Sequence, residues 1–313
     1  LKAPFEAQVR MAGAPAWPLT FAAAVALLRS GLRGVTPEFI RSPVGSGLLR
    51  PVINSFGFPE FSLPSEVTVL PDTFASADVQ GEWILPGGRQ EIPQRAGRLL
   101  LWVHGGGFSL LSPGAYRSFL ARIAVKADIP IFAVNYRKPP DFPFPVPCSD
   151  VLDTYRAAVE RGCAERVFLG GDSAGGNLVL AATRVLCTSE LEDKIPAGLV
   201  LLSPWVDPSE YEGESWQMYG DVDYIPALQA ETIARVYAGE LPLDDVRISP
   251  GLCREWQRLP PVLLDYGGKE VFRSQIERFA QAIMEAGVDL DASAAADMVH
   301  VYPWFHFLWD ERP

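Results

Sequence analysis

A mostly parallel α/β sheet with helices on both faces and a helical cap is the fold class this sequence predicts, and three observations predict it. Apolar runs of strand length recur at 99–103, 129–134, 166–169, 198–202 and 261–266, reading as strands buried on both faces. Helical stretches at 118–126, 150–161, 176–186 and 274–285 alternate with them, as a doubly wound sheet with right-handed crossovers requires. Gly-rich or turn-rich segments follow the runs, and such sheets carry their chemistry in the loops beyond the carboxyl ends of the strands.

Two segments break the alternation, 1–50 and 205–248, the second rich in aromatics (Trp205, Tyr211, Trp216, Tyr219, Tyr224). Together they are expected to form a lid over the active edge of the sheet. The predicted organisation is thus an N-terminal cap segment (1–50), core (51–204), an inserted cap segment (205–248) and core again (249–313). A chain of 313 residues exceeds the usual domain size, but a sheet of this class with an insertion accommodates it as one unit.

The balance of 27 Lys plus Arg against 38 Asp plus Glu, net -11, without a basic run, excludes nucleic acid as the expected partner. No stretch reaches the roughly 18 apolar residues that a bilayer span needs. The apolar centre at 21–28, followed by Arg29 and Arg33, reads as an amphipathic helix lying on the protein's own cap rather than on a membrane. The stretch lacks a basic leader and a small-residue cleavage site, so it is not read as a signal peptide. Cys148, Cys163, Cys187 and Cys253 are far apart and without CxxC or metal-ligand spacing; they read as ordinary buried thiols, consistent with a cytoplasmic setting. Neither a metal nor a cofactor is expected. The 17 Phe, 9 Tyr and 8 Trp are ample for an aromatic-lined pocket.

The segment Gly171-Asp172-Ser173-Ala174-Gly175 is G-x-S-x-G placed after a strand and before a helix. A serine nucleophile must stand at a sharp turn, and glycines two positions to either side remove the Cβ atoms that would block it. Upstream, the run 99–103 leads into His104-Gly105-Gly106-Gly107-Phe108, whose glycines let backbone N–H groups converge on one point. The expected oxyanion donors are Gly106, Gly107 and Ala174, with His104 bracing the loop. A phosphate-gripping loop is the rival, but neither Lys-Ser/Thr nor G-x-G-x-x-G is present.

Only three histidines exist, and the chain order serine, acid, histidine leaves His300 and His306. His300 lies in a loop-like stretch and is the expected base; His306, in Trp304-Phe305-His306-Phe307-Leu308, reads as packed helix. Glu270 follows the run 261–266 where a carboxylate could emerge and is the expected acid. Asp265 is its rival, although it lies inside the strand.

This combination resembles the hormone-sensitive-lipase-like family of esterases, the α/β-hydrolase fold-3 group. The resemblance runs from about residue 99 to the end through His104-Gly105-Gly106-Gly107-Phe108, Tyr136-Arg137-Lys138-Pro139-Pro140, Phe142-Pro143-Phe144-Pro145, Gly171-Asp172-Ser173-Ala174-Gly175-Gly176-Asn177, Leu202-Ser203-Pro204-Trp205-Val206-Asp207 and Met298-Val299-His300. It implies a two-part cap and hydrolysis of a small or medium apolar ester, and it admits a homodimer. The family usually carries aspartate in D-P-L-x-D, where this chain has Glu270-Val271-Phe272-Arg273-Ser274. Two other readings remain on this scaffold: a cyclase or lyase using Ser173 and His300 as proton handlers, and a small-molecule receptor.

Overall fold

The structure is a computed structural model and describes residues 10–12, 17–55, 63–73, 79–92, 95–188 and 195–308. Nine strands form one sheet: β1 Arg10–Ala12, β2 Thr68–Thr73, β3 Gln80–Leu85, β4 Ala96–Val103, β5 Ile131–Asn135, β6 Ala164–Asp172, β7 Leu199–Leu202, β8 Val262–Gly267 and β9 Leu290–Ala295. Their order is β1-β9-β8-β7-β6-β4-β5-β3-β2, and β3 alone runs against the others among the described strands.

Strand periodicity divides the core in two. Leu99, Leu101 and Val103 of β4, with Phe132 and Val134 of β5, face one cluster; Leu100, Trp102, Ile131 and Ala133 face another. Successive side chains of a strand point to opposite faces, so both faces of these central strands must be apolar. The first cluster is closed by α5 (Val146–Glu160), α6 (Ser173–Thr188) and α9 (Arg273–Glu285), the second by α4 (Arg117–Ala127). The remaining helices are α1 Leu19–Arg33, α2 Pro37–Arg41, α3 Pro43–Ser55, α7 Glu214–Tyr219 and α8 Ala227–Ala238.

All five predicted strands and all four predicted helices are present, with shifted ends. The run at 129–134 becomes a strand only at Ile131, because the end of α4 claims Ile129. Asp128 caps that helix in the left-handed region (φ 45°) and the Ile129 N–H donates to the Ala124 carbonyl. Conversely, the predicted helix at 176–186 begins at Ser173. The four strands not anticipated are edge or near-edge ones: β1 has three residues, β2 and β3 are antiparallel and half-polar, and β9, Leu-Asp-Ala-Ser-Ala-Ala, has a single large apolar side chain.

The amphipathic stretch forms α1, which buries Phe21 and Val25 against Met298, Val299 and Phe305. The protein's own chain thus covers Phe21 and Val25 of this helix, while Leu19 and Leu27 remain exposed. Within the predicted inserted segment, α8 packs against α2, and Gln229 donates to the Val35 carbonyl at 3.0 Å. Residues 1–9 and 13–16 of the predicted cap, and 56–62, 74–78, 93–94, 189–194 and 309–313 of the predicted core, lie outside the described residues. Among the described residues no helix is long and apolar enough to cross a membrane. The reading of four buried thiols is corrected: Cys148 is buried, and burial pushes its thiol up to about 12, but Cys163, Cys187 and Cys253 are half-buried, and all four are free.

Leu101, fully buried at the centre of β4, tests this packing. Leu101→Ala should lower unfolding free energy by about 2–5 kcal/mol in denaturant titration, the cost of a buried leucine that neighbours cannot replace.

Candidate active site

The carboxyl ends of β4, β6, β7 and β8 meet at one rim, where three sharp turns set the geometry. The first is Ser173, whose φ of 53° puts a non-glycine residue in the left-handed region between β6 and α6. Such a conformation costs on the order of 1–3 kcal/mol and persists only where surroundings enforce it. Here they do: a Cβ on Gly175 would collide with the Val103 carbonyl oxygen, and one on Gly171 would lie 2.7 Å from the Gly175 carbonyl carbon. Trp205 N–H donates to the Ser173 carbonyl at 2.9 Å, fixing the turn from the β7 side.

The second turn is the loop after β4, with φ of 96° at Gly106 and 59° at Gly107. The Gly105 N–H is occupied by Asp172 Oδ1 and the Tyr116 hydroxyl, each at 3.1 Å. Among the described residues the N–H groups of Gly106 and Gly107 have no protein acceptor, and Ala174 lies in the first turn of α6, where helical N–H groups are free. The three amides expected to converge are therefore the ones left undonated. His104 lies under the loop, its ring stacked on Tyr136 at 4.5 Å and its Nδ1 2.8 Å from the Gly105 carbonyl oxygen. Burial first, then the nearby Lys138 charge, holds this imidazole well below its ordinary pKa, so it is neutral. The Tyr136 hydroxyl donates to the His104 carbonyl at 3.1 Å. Arg137 beside it is anchored to buried Asp150 through its backbone N–H (2.7 Å) and guanidinium (2.6 Å).

The third turn carries the histidine. His300 Nε2 lies 2.8 Å from Ser173 Oγ, and both residues are buried. Its Nδ1 faces Glu270 Oε1 at 3.7 Å, longer than a hydrogen bond, and neither atom has another partner among the described residues. The other carboxylate oxygen of Glu270 accepts from the Ser203 hydroxyl at 2.6 Å and from Gly267 N–H at 2.9 Å. Ser203 Oγ in turn accepts from Val301 N–H at 3.0 Å, linking Glu270 to the residue after His300. Burial acts on the His300 imidazole to lower its pKa, but the carboxylates of Glu270, Asp223 and Asp172 outweigh it, so the net shift is upward. Asp172, at the end of β6, is pushed up to about 6 by burial, partly opposed by the Tyr116 hydroxyl donating at 2.7 Å.

The structure thus brings Ser173, His300 and Glu270 to one place, with Ala174 next to the serine in the chain and Gly106 and Gly107 in the loop whose first glycine, Gly105, lies against Ser173. The rivals fall elsewhere: Asp265 points from β8 towards Ser293 of β9, and His306 sits 3.2 Å from Ser118 on α4. His306 is buried in a helix, as expected, and the helix is of the 3-10 kind (Tyr302–Leu308). Three participants were not assigned from sequence. Ser203 lies in a quoted motif without a role; Asp172 sits inside G-x-S-x-G; Asp223, in the inserted segment, carries no sequence signal at all. Chemically, the arrangement offers a hydroxyl beside an imidazole and a carboxylate behind the imidazole, with unengaged N–H groups in the neighbouring glycine loop.

The family profile described as the alpha/beta hydrolase fold matches residues 100–304. An acetyl-hydrolase of Streptomyces hygroscopicus is 33% identical over 72% of this chain and 73% of its own. An esterase of Acinetobacter venetianus is 28% identical over 91% of this chain and 89% of its own. An esterase of the bacterial hormone-sensitive lipase family superposes with a TM-score of 0.81 at 28% identity, covering 95% of this chain and 94% of that one. The chain belongs to the α/β-hydrolase fold family. Within it the chain falls in the hormone-sensitive-lipase-like group and is a carboxylesterase-type serine hydrolase.

The elevated pKa of His300 can be measured directly. In an NMR titration its imidazole should titrate above the ordinary value of about 6.5, and Glu270→Gln should lower it by removing the charge that favours the imidazolium. An unmoved midpoint would separate Glu270 from the imidazole.

Proposed function

We propose that Ser173 attacks the carbonyl of a small or medium apolar carboxylic ester, with His300 as general base and Glu270 orienting the imidazole. The observation that carries this reading is the 2.8 Å approach of His300 Nε2 to Ser173 Oγ, made by residues 127 positions apart. His300 takes the hydroxyl proton as the serine oxygen bonds to the carbonyl carbon. The oxyanion is held by the N–H groups of Gly106, Gly107 and Ala174, and collapse expels the alkoxide, which takes the proton from His300. Water, deprotonated by the same imidazole, then releases the acid and restores Ser173. The Glu270 carboxylate stabilises the imidazolium in both steps, and the 3.7 Å separation closes as that charge forms.

The cap and its neighbours support a small apolar substrate. A Cβ on Gly107 would lie 3.0 Å from Ile233, so α8 packs against the loop that carries the proposed oxyanion donors. Aromatic rings stack from Tyr237 through Phe108 and Trp205 to Phe272, which meets His300 edge to face, giving the site an apolar wall. The helices of the segments 1–50 and 205–248 serve in this reading as the cap, shaping the pocket from above, although β1 of the first segment joins the sheet beside β9. Relatives named acetyl-hydrolase and ethyl acetate hydrolase support a short acyl group. Four free thiols support a cytoplasmic setting. Exposed Leu19, Leu27, Val44 and Leu48 on α1 and α3 support a homodimer, which light scattering would reveal. The cyclase or lyase alternative is not favoured, the named relatives being hydrolases.

Ser173→Ala should cut turnover of a chromogenic short-chain ester by at least about 10³-fold; retention of wild-type activity would remove the serine from the mechanism. Across an acyl series, rate should fall steeply with chain length. In labelled water, heavy oxygen should enter the released acid.

A further inference from the structure

The geometry points to Asp223 as a positioning residue that clamps the Glu270 and His300 loops together from the cap, an assignment that rests on the hydrolase reading above. Asp223 is fully buried between α7 and α8, in the inserted segment rather than the core. Its carboxylate accepts three backbone N–H groups and, among the described residues, pairs with no lysine or arginine. Oδ2 takes Val271 N–H at 2.9 Å; Oδ1 takes His300 N–H at 3.3 Å and Tyr224 N–H at 2.8 Å. One oxygen therefore holds the residue after Glu270, and the other holds the backbone of His300.

A buried carboxylate without a cation is costly unless its oxygens are well supplied with donors. What Asp223 holds explains its place. The opposition of Glu270 Oε1 to His300 Nδ1 depends on the relative position of two loops that follow different strands, β8 and β9. Ser203 joins them once, from the core side, through Glu270 and Val301. Asp223 joins them a second time, through Val271 and His300, and does so from the cap. The segment that covers the substrate is thereby built into the alignment of acid and base. Its own turn is braced by the Asp223 N–H donating to the Tyr219 carbonyl at 2.7 Å, so a shift of the cap is passed to both loops.

The charges around it are Glu270 and His300, with the Tyr224 phenol alongside and Asp172 bearing on His300 and Tyr224 from β6. Burial pushes the Asp223 carboxyl up to about 6; the imidazolium of His300 opposes this and Glu270 reinforces it. While ionised, Asp223 favours the imidazolium form of His300.

Asp223→Asn keeps the side chain's shape but leaves one carbonyl oxygen, so one loop keeps its acceptor and the other meets an NH2 group. With a chromogenic short-chain ester, kcat should fall about 10- to 100-fold, the scale of an ångström of misplacement, while KM changes less than about threefold. The acidic limb of kcat/KM should move to lower pH, because a charge favouring the imidazolium is gone; a purely structural role would not move it. Asp223→Ala should lose more. Hydrogen exchange supplies an arm independent of turnover: the Val271 and His300 amides should exchange slowly in the wild type, and one or both should lose protection in Asp223→Asn. Wild-type kcat and an unmoved acidic limb in the Asn variant, or fast exchange of both amides in the wild type, would overturn the clamp. Absence of ester turnover in the wild type would sink the hydrolase reading alone, since the exchange measurement still decides what Asp223 holds.

Discussion

Everything at this site depends on one strained turn. Ser173 stands in the left-handed region at the junction of β6 and α6, and the chain can pass there only because Gly175 lies against the carbonyl of Val103 and Gly171 against Gly175. The same close approach brings the end of β4 beside the end of β6, so the loop that presents the Gly106 and Gly107 amides starts next to the serine. Strain of this kind is sustained by a sheet packed on both faces, not by the turn itself. The apolar strands therefore belong to the chemistry as much as to stability.

Around that turn, buried polar groups are arranged so that few donors are wasted and the unused ones are informative. Asp172 and Tyr116 engage Gly105, Ser203 and Gly267 engage one oxygen of Glu270, and Asp223 gathers three amides. Among the atoms left without a partner in the described residues are the Gly106 and Gly107 amides, the outer oxygen of Glu270 and Nδ1 of His300. Leaving a buried donor unpaired costs about 1–3 kcal/mol, so preorganised but idle groups mark where charge is to develop.

Sequence and structure diverge where a residue's role comes from a distant segment. G-x-S-x-G and the His-Gly-Gly-Gly run could be read locally because the chain itself must turn there, and glycine is the residue that permits it. His300 could be separated from His306 by chain order and loop character. Glu270 could be preferred over Asp265 because a strand residue such as Asp265 is fixed by its register, here opposite Ser293. The edge strands β1 and β2 and their neighbours β9 and β3 escaped notice, since short, half-polar or alanine-rich sequences lack the apolar run that marks a central strand.

By itself, the sequence determined the alternation of strands and helices, the two tight glycine turns and the identity of the nucleophile, base and acid candidates. Each of these is a local property, set by backbone freedom or by the period of apolar side chains. Only the tertiary structure decided that Asp223 and Ser203 tie the acid and histidine loops together, that three cysteines are half-buried, that α1 packs on Met298 and Val299, and that α8 sets Ile233 against Gly107. These follow from which surfaces meet when the sheet and cap pack, and no pattern along the chain carries that information.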